Sequence, residues 1–277
     1  AAMDMVTMSI IESTMVAITR EMGINVQRTA YSTIFSEAED FTCALASPEG
    51  ELIAVADFCP AQIGGVPLLV RSMVKEIPLE EIDEGDVIVH NDPYRGGLHT
   101  PEHTVFKPIF VDGKIIAFAV CVGHFVEVGG IAPGGFPGEA TEILHEGLQI
   151  PPVKIIERGK DVPQVWKIVL ANVRTPRVNY GDLRAMIGAV DRGQDRLIDL
   201  IEKYGLDLFK QTVADLLDYS ETRMRAEIAS FPDGRYSFTD YVEDDGIEDK
   251  QYTIEVAIYV QNDEVVVDYT GSSPQAK

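Results

Sequence analysis

Hydrophobic residues recur at helical spacing near the start of the chain and again in its later part. The pattern predicts an amphipathic helix over residues 4–22 that ends near Gly23. Interleaved leucine, isoleucine and charged residues predict that residues 182–230 are mostly helical, with two helices over residues 192–203 and 206–229. The apolar side of the first helix is formed by Val6, Ile10, Met15, Ile18 and Met22.

Elsewhere the pattern consists of short apolar runs separated by turn residues, which is typical of β-hairpins. Residues 42–56 contain two such runs, divided by the turn residues 48–50. The runs at residues 105–111 and 114–122 are joined by Asp112-Gly113, a strong signal for a two-residue hairpin. The second of these runs is almost continuously apolar, so we expect a strand that is buried on both faces.

Strands and helices follow one another in blocks, without regular alternation between the two. We therefore predict an α+β fold of mixed or antiparallel sheets with flanking helices, a helical middle section and a C-terminal strand block. Three regions are expected. Residues 1–181 form an α+β domain, residues 182–231 form a helical segment, and residues 232–277 begin a β-rich domain that continues beyond this chain.

Charge and composition limit the partners that the protein is expected to bind. The chain has 23 Lys and Arg against 45 Asp and Glu, for a formal net charge of −22. Such a charge repels phosphate backbones and anionic lipids, so neither nucleic acid nor a membrane surface is an expected partner. Three cysteines, an odd number, and the lack of an evident secretory leader before the first helix predict a cytoplasmic protein.

Four of the five histidines lie between His90 and His124, and they suggest a metal site. His99 and Glu102 form an H-x-x-E step, His124 follows the apolar strand, and Asp40 precedes an earlier strand. Imidazole and carboxylate ligands together suit Zn, Mn or Fe. The pattern is equally compatible with hydrogen-bonded or surface histidines and with a strand that is capped by His124.

The segment GGIAPGGFPG at residues 129–138 contains too many glycines and prolines to form a helix or a strand. We predict that it is a loop, and we expect this loop to be functional. Four carboxylates surround this loop, and two of them can act as general acid and base. We predict that Glu127 and Glu142 do so, although a solvated acidic face is the alternative. The chain has no glycine-rich phosphate loop with its lysine, so ATP is not expected to bind here.

Four segments together resemble the hydantoinase B/oxoprolinase family. They are NDPYRGGLHTPEH (91–103), HFVEVGG (124–130), GGFPGEATEILHEGLQIPPVKI (134–155) and DYTGSSPQ (268–275). This family includes the B-type subunits of ATP-dependent hydantoinase, 5-oxoprolinase and caprolactamase, and related subunits of acetone and acetophenone carboxylases. Its members are roughly twice as long, so the chain resembles the N-terminal half of one.

The resemblance implies a specific site and specific partners. An A-type partner subunit would bind ATP and phosphorylate the substrate, while the B-type subunit would hold a divalent metal. The implied metal ligands are Asp40, His99, Glu102 and His124. Three positions depart from the family pattern. Glu102 and Glu127 stand where the family has aspartates, and Phe125 stands where it has a second histidine.

The implied function is that of a metal-binding subunit in an ATP-dependent hydrolase of cyclic amides. It would act on a small-molecule intermediate that the A-type partner phosphorylates, together with the remaining C-terminal half of the B-type subunit. A subunit of a ketone carboxylase is the alternative, and so is a non-catalytic scaffold for the A-type subunit.

Overall fold

A computed structural model describes residues 5–276 and divides the chain into two compact units, with the boundary between residues 212 and 213. The α+β class predicted from the sequence is confirmed. The division into three regions stays a prediction. The long helix in which the predicted helical segment begins belongs to the first unit.

Seven α-helices and ten strands are found in the described part of the chain. The helices are α1 (Met5–Thr29), α2 (Thr33–Ser36), α3 (Pro60–Ile63), α4 (Val66–Glu76), α5 (Pro163–Ala171), α6 (Pro176–Tyr204) and α7 (Leu206–Ile228). The strands of the first unit are β1 (Phe41–Ala46), β2 (Leu52–Val55), β3 (Val87–His90), β4 (Glu102–Val111), β5 (Lys114–His124), β6 (Val153–Glu157) and β7 (Lys160–Asp161). The strands of the second unit are β8 (Gly234–Val242), β9 (Tyr252–Gln261) and β10 (Glu264–Asp268).

The first unit is built on one antiparallel sheet of seven strands in the order β2-β1-β5-β4-β3-β6-β7. Strand β5 lies inside the sheet and is buried on both faces, as its apolar sequence predicts. Its even-numbered residues, such as Phe118 and Val120, pack with α4. Its odd-numbered residues face α1 and α6, where Gly193 of α6 lies against Ala119. The sheet is therefore covered by helices on both sides.

Both predicted hairpins of the first unit are confirmed. Strands β1 and β2 pair across the turn at residues 48–50, and β4 pairs with β5 across Asp112-Gly113. Both residues of the second turn have positive φ angles, 51° and 73°, as a tight two-residue hairpin requires. Strand β4 begins earlier than predicted, at Glu102, because its first residues pair with the end of β5.

The end predicted for the first helix was wrong, because α1 continues through Gly23 to Thr29. A glycine inside a helix costs about 1 kcal/mol relative to alanine. Here it makes room for Phe58, since a Cβ atom on Gly23 would lie 2.0 Å from the Phe58 ring. Val26, in the added turns, is fully buried, which favours the longer helix.

The helices around residue 176 were also not fully predicted. Helix α6 begins at Pro176, before the predicted helical segment starts at residue 182, and α5 was not predicted at all. Glycines and small residues in the first half of α6 weaken its periodic signal. Trp166 of α5 is buried, so packing stabilises this short helix beyond its propensity.

The second unit contains an antiparallel sheet in the order β10-β9-β8, and its strands confirm the expected C-terminal strand block. Several of its apolar side chains are exposed, among them Phe238 and Val267. Across both units, the helices in residues 5–276 include none with the length and hydrophobicity that a membrane span needs.

Acid is expected to destabilise the protein through His90, which ends β3. Its imidazole is fully buried against the Phe106 ring, and burial lowers its pKa from 6.5 to about 4. The unfolded chain takes up a proton here below pH 6.5, whereas the folded chain does so only near pH 4. Stability is therefore lost as the pH falls through this window. At pH 5 the loss from this residue is about 2 kcal/mol.

Urea unfolding at pH 7.5 and pH 5 measures this effect. In His90→Leu, which cannot titrate at this position, the difference in unfolding free energy between the two pH values should be smaller by about 2 kcal/mol. His145→Leu, at a partly exposed histidine, should keep the full difference of the unchanged protein. An equal pH dependence in His90→Leu would show that His90 does not cause it.

Candidate metal centre

Three neighbouring strands end at one point of the large sheet, and each brings a predicted site residue there. Glu102 begins β4, His124 ends β5, and the two residues are directly paired across the hairpin. Asp40 immediately precedes β1, and its carbonyl accepts a hydrogen bond from the His124 amide at 3.0 Å. The backbone pairing of β1, β5 and β4 therefore sets the positions of three candidate ligands.

His99 reaches the same point from the turn that leads into β4. The Glu102 amide donates to the His99 carbonyl at 3.0 Å, which closes this turn. The centroids of the His99 and His124 rings are 4.9 Å apart. His99 Nδ1 lies 3.6 Å from Glu102 Oε2, and His124 Nδ1 lies 3.9 Å from Asp40 Oδ2. The four residues predicted as metal ligands are thus brought together.

Two polar atoms of this cluster are buried without hydrogen bonds. They are His99 Nδ1 and Glu102 Oε2, and neither has a hydrogen-bond partner among residues 5–276. Buried polar atoms of this kind are costly unless something else satisfies them. As the side chains stand, however, no group of three or more His, Cys, Asp and Glu in the described residues is arranged to hold a metal ion. Their role as ligands stays a prediction.

Burial also lowers the pKa of two histidines here, His103 and His124. It lowers the pKa of His124, and the neighbouring His99 lowers it further. His103, next to Glu102, is buried as well, and burial lowers its pKa to about 4. A neutral imidazole is the form that binds metals. His103 packs on Phe125, with ring centroids 4.1 Å apart, so it belongs to the core beside the cluster.

Gln62, in the short helix α3, was not among the predicted site residues, yet its side chain contacts both acidic members of the cluster. Its Nε2 donates to Asp40 Oδ1 at 3.1 Å and to Glu102 Oε1 at 3.0 Å. The side chain is completely buried. The only sequence signal was a polar residue between a proline and an apolar helix, DFCPAQIGGVPLL at residues 57–69, which does not identify its partners.

The Gly/Pro loop covers the cluster with an aromatic ring. The Phe136 ring stacks on His124 at a centroid distance of 5.3 Å and lies 5.8 Å from the His99 ring. A pocket of about 310 Å³ lies beside it and is lined by His99, Glu146 and loop residues 135–138. This volume is at the small end of the range for ligand sites.

The two carboxylates predicted to be catalytic contact other groups. Glu127 is buried, and its carboxylate accepts bonds from Arg174 at 2.9 Å and from the Gly129 amide at 2.5 Å. Its observed contacts therefore anchor the start of the Gly/Pro loop. Glu142 is exposed and lies 3.2 Å from His145 Nε2. A catalytic role for either residue stays a prediction without support from these contacts.

Glu146 is the carboxylate of this loop region that lines the pocket. Its Oε2 accepts a hydrogen bond from the Thr100 hydroxyl at 3.0 Å, and Thr100 directly follows His99. Four glutamates lie near the Gly/Pro loop in the sequence, and their spacing does not indicate which of them faces the cluster. In the structure Glu146 directly follows the 3-10 turn at Ile143–His145 and lines the pocket together with His99.

The chain is similar to known proteins in both sequence and structure. A model of the family described as Hydantoinase B/oxoprolinase matches residues 4–277. The beta chain of the caprolactamase from Pseudomonas jessenii is 34% identical over 264 residues, which cover 95% of this chain and 45% of that protein. The chain spans about half the length of the first curated relatives that it matches.

Two solved structures share the fold. The ATP-dependent caprolactamase of Pseudomonas jessenii superposes with a TM-score of 0.92 at 33% identity, covering 100% of this chain and 47% of that one. The nucleotide-free structure of an acetone carboxylase superposes with a TM-score of 0.91 at 16% identity, covering 99% and 38%. At that identity the second match shows the fold alone.

Proposed function

Because the chain belongs to the hydantoinase B/oxoprolinase family, we propose that it is the metal-binding subunit of an ATP-dependent hydrolase of cyclic amides. The substrate class is the hydantoin, 5-oxoproline or lactam type. The observation that carries this proposal is the convergence of His99, Glu102, His124 and Asp40 at one end of the sheet. His99 Nδ1 and Glu102 Oε2 are buried 3.6 Å apart without a hydrogen bond to residues 5–276, which supports a ligand there.

The same four residues would hold a divalent metal (Zn, Mn or Fe), with small rotations that draw the donors together. When bound, such an ion polarises a carbonyl oxygen or lowers the pKa of a water molecule. The chain's own residues supply the surroundings. The Phe136 ring stacks on His124, and in the assembled enzyme it would help to keep water from the site, which would protect a phosphorylated intermediate from unproductive hydrolysis. Glu146, which lines the pocket, would accept the proton of the attacking water.

Partner subunits complete this proposal. The chain lacks a glycine-rich phosphate loop, so an A-type subunit would bind ATP and phosphorylate the cyclic amide before transfer. The caprolactamase relative is by name a beta subunit, which supports an enzyme of more than one subunit. The remaining half of a B-type polypeptide would pack with this one, and we place the complex in the cytoplasm.

Turnover by the assembled complex tests the proposal. ATP consumption and ring opening are measured with hydantoin, 5-oxoproline and caprolactam, and separately with acetone or acetophenone plus bicarbonate. We expect ATP-dependent opening of at least one cyclic amide and a stoichiometric divalent metal by elemental analysis. Turnover with only the ketone and bicarbonate would reverse the assignment.

Two other functions have specific support. A ketone carboxylase subunit is supported by a relative named acetophenone carboxylase delta subunit, from Aromatoleum aromaticum, which is 29% identical over 243 residues that cover 86% of this chain and 35% of that protein. A non-catalytic scaffold for the A-type subunit is supported by the three departures from the family pattern at Glu102, Phe125 and Glu127. A fully active complex that contains no metal would support the scaffold.

A further inference from the structure

We infer that Gln62 is a positioning residue that makes both acidic ligands of the cluster bind through a single oxygen; this inference rests on the proposed metal-binding function. The Gln62 amide group donates one hydrogen bond to Asp40 Oδ1 at 3.1 Å and another to Glu102 Oε1 at 3.0 Å. One side chain thus joins carboxylates from two different strand ends.

The remaining oxygen of each carboxylate faces a histidine. Asp40 Oδ2 lies 3.9 Å from His124 Nδ1, and Glu102 Oε2 lies 3.6 Å from His99 Nδ1. Each carboxylate therefore has one oxygen on the amide and one directed toward an imidazole. An oxygen that accepts the amide hydrogen bond is less available to a cation, so the amide favours coordination through the other oxygen.

The orientation of the Gln62 amide follows from its partners. Carboxylate oxygens are acceptors, so the NH₂ group must face them, and the amide oxygen must point away. That oxygen is buried and has no hydrogen-bond partner within the described part of the chain. Leaving it unpaired costs free energy. The two carboxylates therefore dictate how this side chain is placed.

The backbone around Gln62 is tied to the strand that carries Asp40. Cys59, just before α3, donates its amide hydrogen to the Phe41 carbonyl at 3.0 Å. The Thr42 hydroxyl donates to the Cys59 carbonyl at 2.7 Å. Phe41 and Thr42 directly follow Asp40. These two bonds therefore hold the segment that carries Gln62 against the segment that carries Asp40, one of the two residues to which Gln62 donates. Such fixed supporting groups commonly tune metal sites.

The test compares Co²⁺ binding by the wild-type chain and by Gln62→Met, which keeps the length of the side chain but removes both donors. Affinity is measured by titration, and the coordination by the visible absorption of bound Co²⁺. We expect a folded variant that binds Co²⁺ about tenfold more weakly. We also expect a changed spectrum, because carboxylates released from the amide can bind through both oxygens.

Gln27→Met is the matched control. It removes the same kind of amide–carboxylate bond, from Gln27 Nε2 to Glu39 at 2.8 Å, one residue before Asp40. We expect it to leave Co²⁺ affinity and spectrum unchanged. If Gln62→Met does not fold, Gln62→Asn takes its place, since a shorter amide can serve at most one carboxylate. The same weakening and spectral change are expected.

A folded Gln62 variant with the affinity and spectrum of the wild type would overturn the inference alone. A wild-type chain that binds no Co²⁺ would instead overturn the proposed function, and the inference with it. An equal loss of Co²⁺ affinity in Gln62→Met and Gln27→Met would show that any change near Asp40 weakens binding. That result would also contradict a specific role for Gln62.

Discussion

Replacing His99 with alanine is expected to weaken divalent-metal binding by at least about 100-fold, because supporting residues of metal sites alone change affinity 10- to 100-fold. Its Nδ1 atom is buried, lies 3.6 Å from Glu102 Oε2 and makes no hydrogen bond to residues 5–276, so the substitution removes a candidate ligand atom without breaking a hydrogen bond at that atom. Metal binding by the purified chain is measured by competition with a chelator, and folding by circular dichroism.

His145→Ala is the control for this experiment. His145 and His99 have the same side-chain exposure, 31%, and each lies within 4 Å of a glutamate three residues away. His145 contacts Glu142 rather than the cluster, so its removal should leave metal binding within about twofold of the wild type. Equal affinity in His99→Ala and the wild type would exclude His99 as a ligand.

The second large effect is expected at Glu146. In the assembled complex, Glu146→Gln should lower kcat about 100-fold, because general acid–base groups contribute roughly 10²–10⁴-fold to rates. The substitution keeps the shape of the side chain and its hydrogen bond from Thr100, so KM and metal content should change little. Steady-state kinetics with the cyclic amide that the complex turns over gives both constants.

Glu142→Gln distinguishes the two glutamates. Glu142 was one of the two carboxylates predicted from the sequence to be catalytic, but it is exposed and lies beside His145, whereas Glu146 lines the pocket. We expect Glu142→Gln to keep nearly full activity. A large loss of kcat in Glu142→Gln, with Glu146→Gln active, would restore the original prediction and remove Glu146 from the proposed mechanism.

Local features of the fold were predictable from the sequence. The dipeptide Asp112-Gly113 predicted the β4–β5 hairpin, because few other sequences adopt two successive positive φ angles. The end of α1 was not predictable, since Gly23 signals a helix end in isolation. It is overridden by the packing of Phe58 against the bare backbone, a contact that joins residues distant along the chain.

The candidate site, like the fold, was predictable from the sequence only in part. Spacing and resemblance picked out His99, Glu102, His124 and Asp40, and the strand ends bring them together. Gln62 was missed because its significance lies entirely in two tertiary hydrogen bonds. A sequence also does not show which groups a carboxylate contacts in the fold.

Glu127 is an example of a carboxylate whose contacts could not be predicted from the sequence. It belongs to a segment that resembles the family motif, yet its carboxylate accepts a hydrogen bond from Arg174, 47 residues later in the chain. A charged partner at such a distance along the chain cannot be identified from spacing, so a structural anchor and a catalytic group look alike in the sequence.

The pairing of Glu102 with His124 bears on the order in which the chain assembles its cluster. Both residues lie at the open end of one hairpin, so the chain between them is short compared with the chain between Asp40 and His124, and we expect their contact to form first. Asp40 joins later, since β1 must dock from a distant part of the chain. A newly synthesised chain would thus have half of its donor set in place before the sheet is complete.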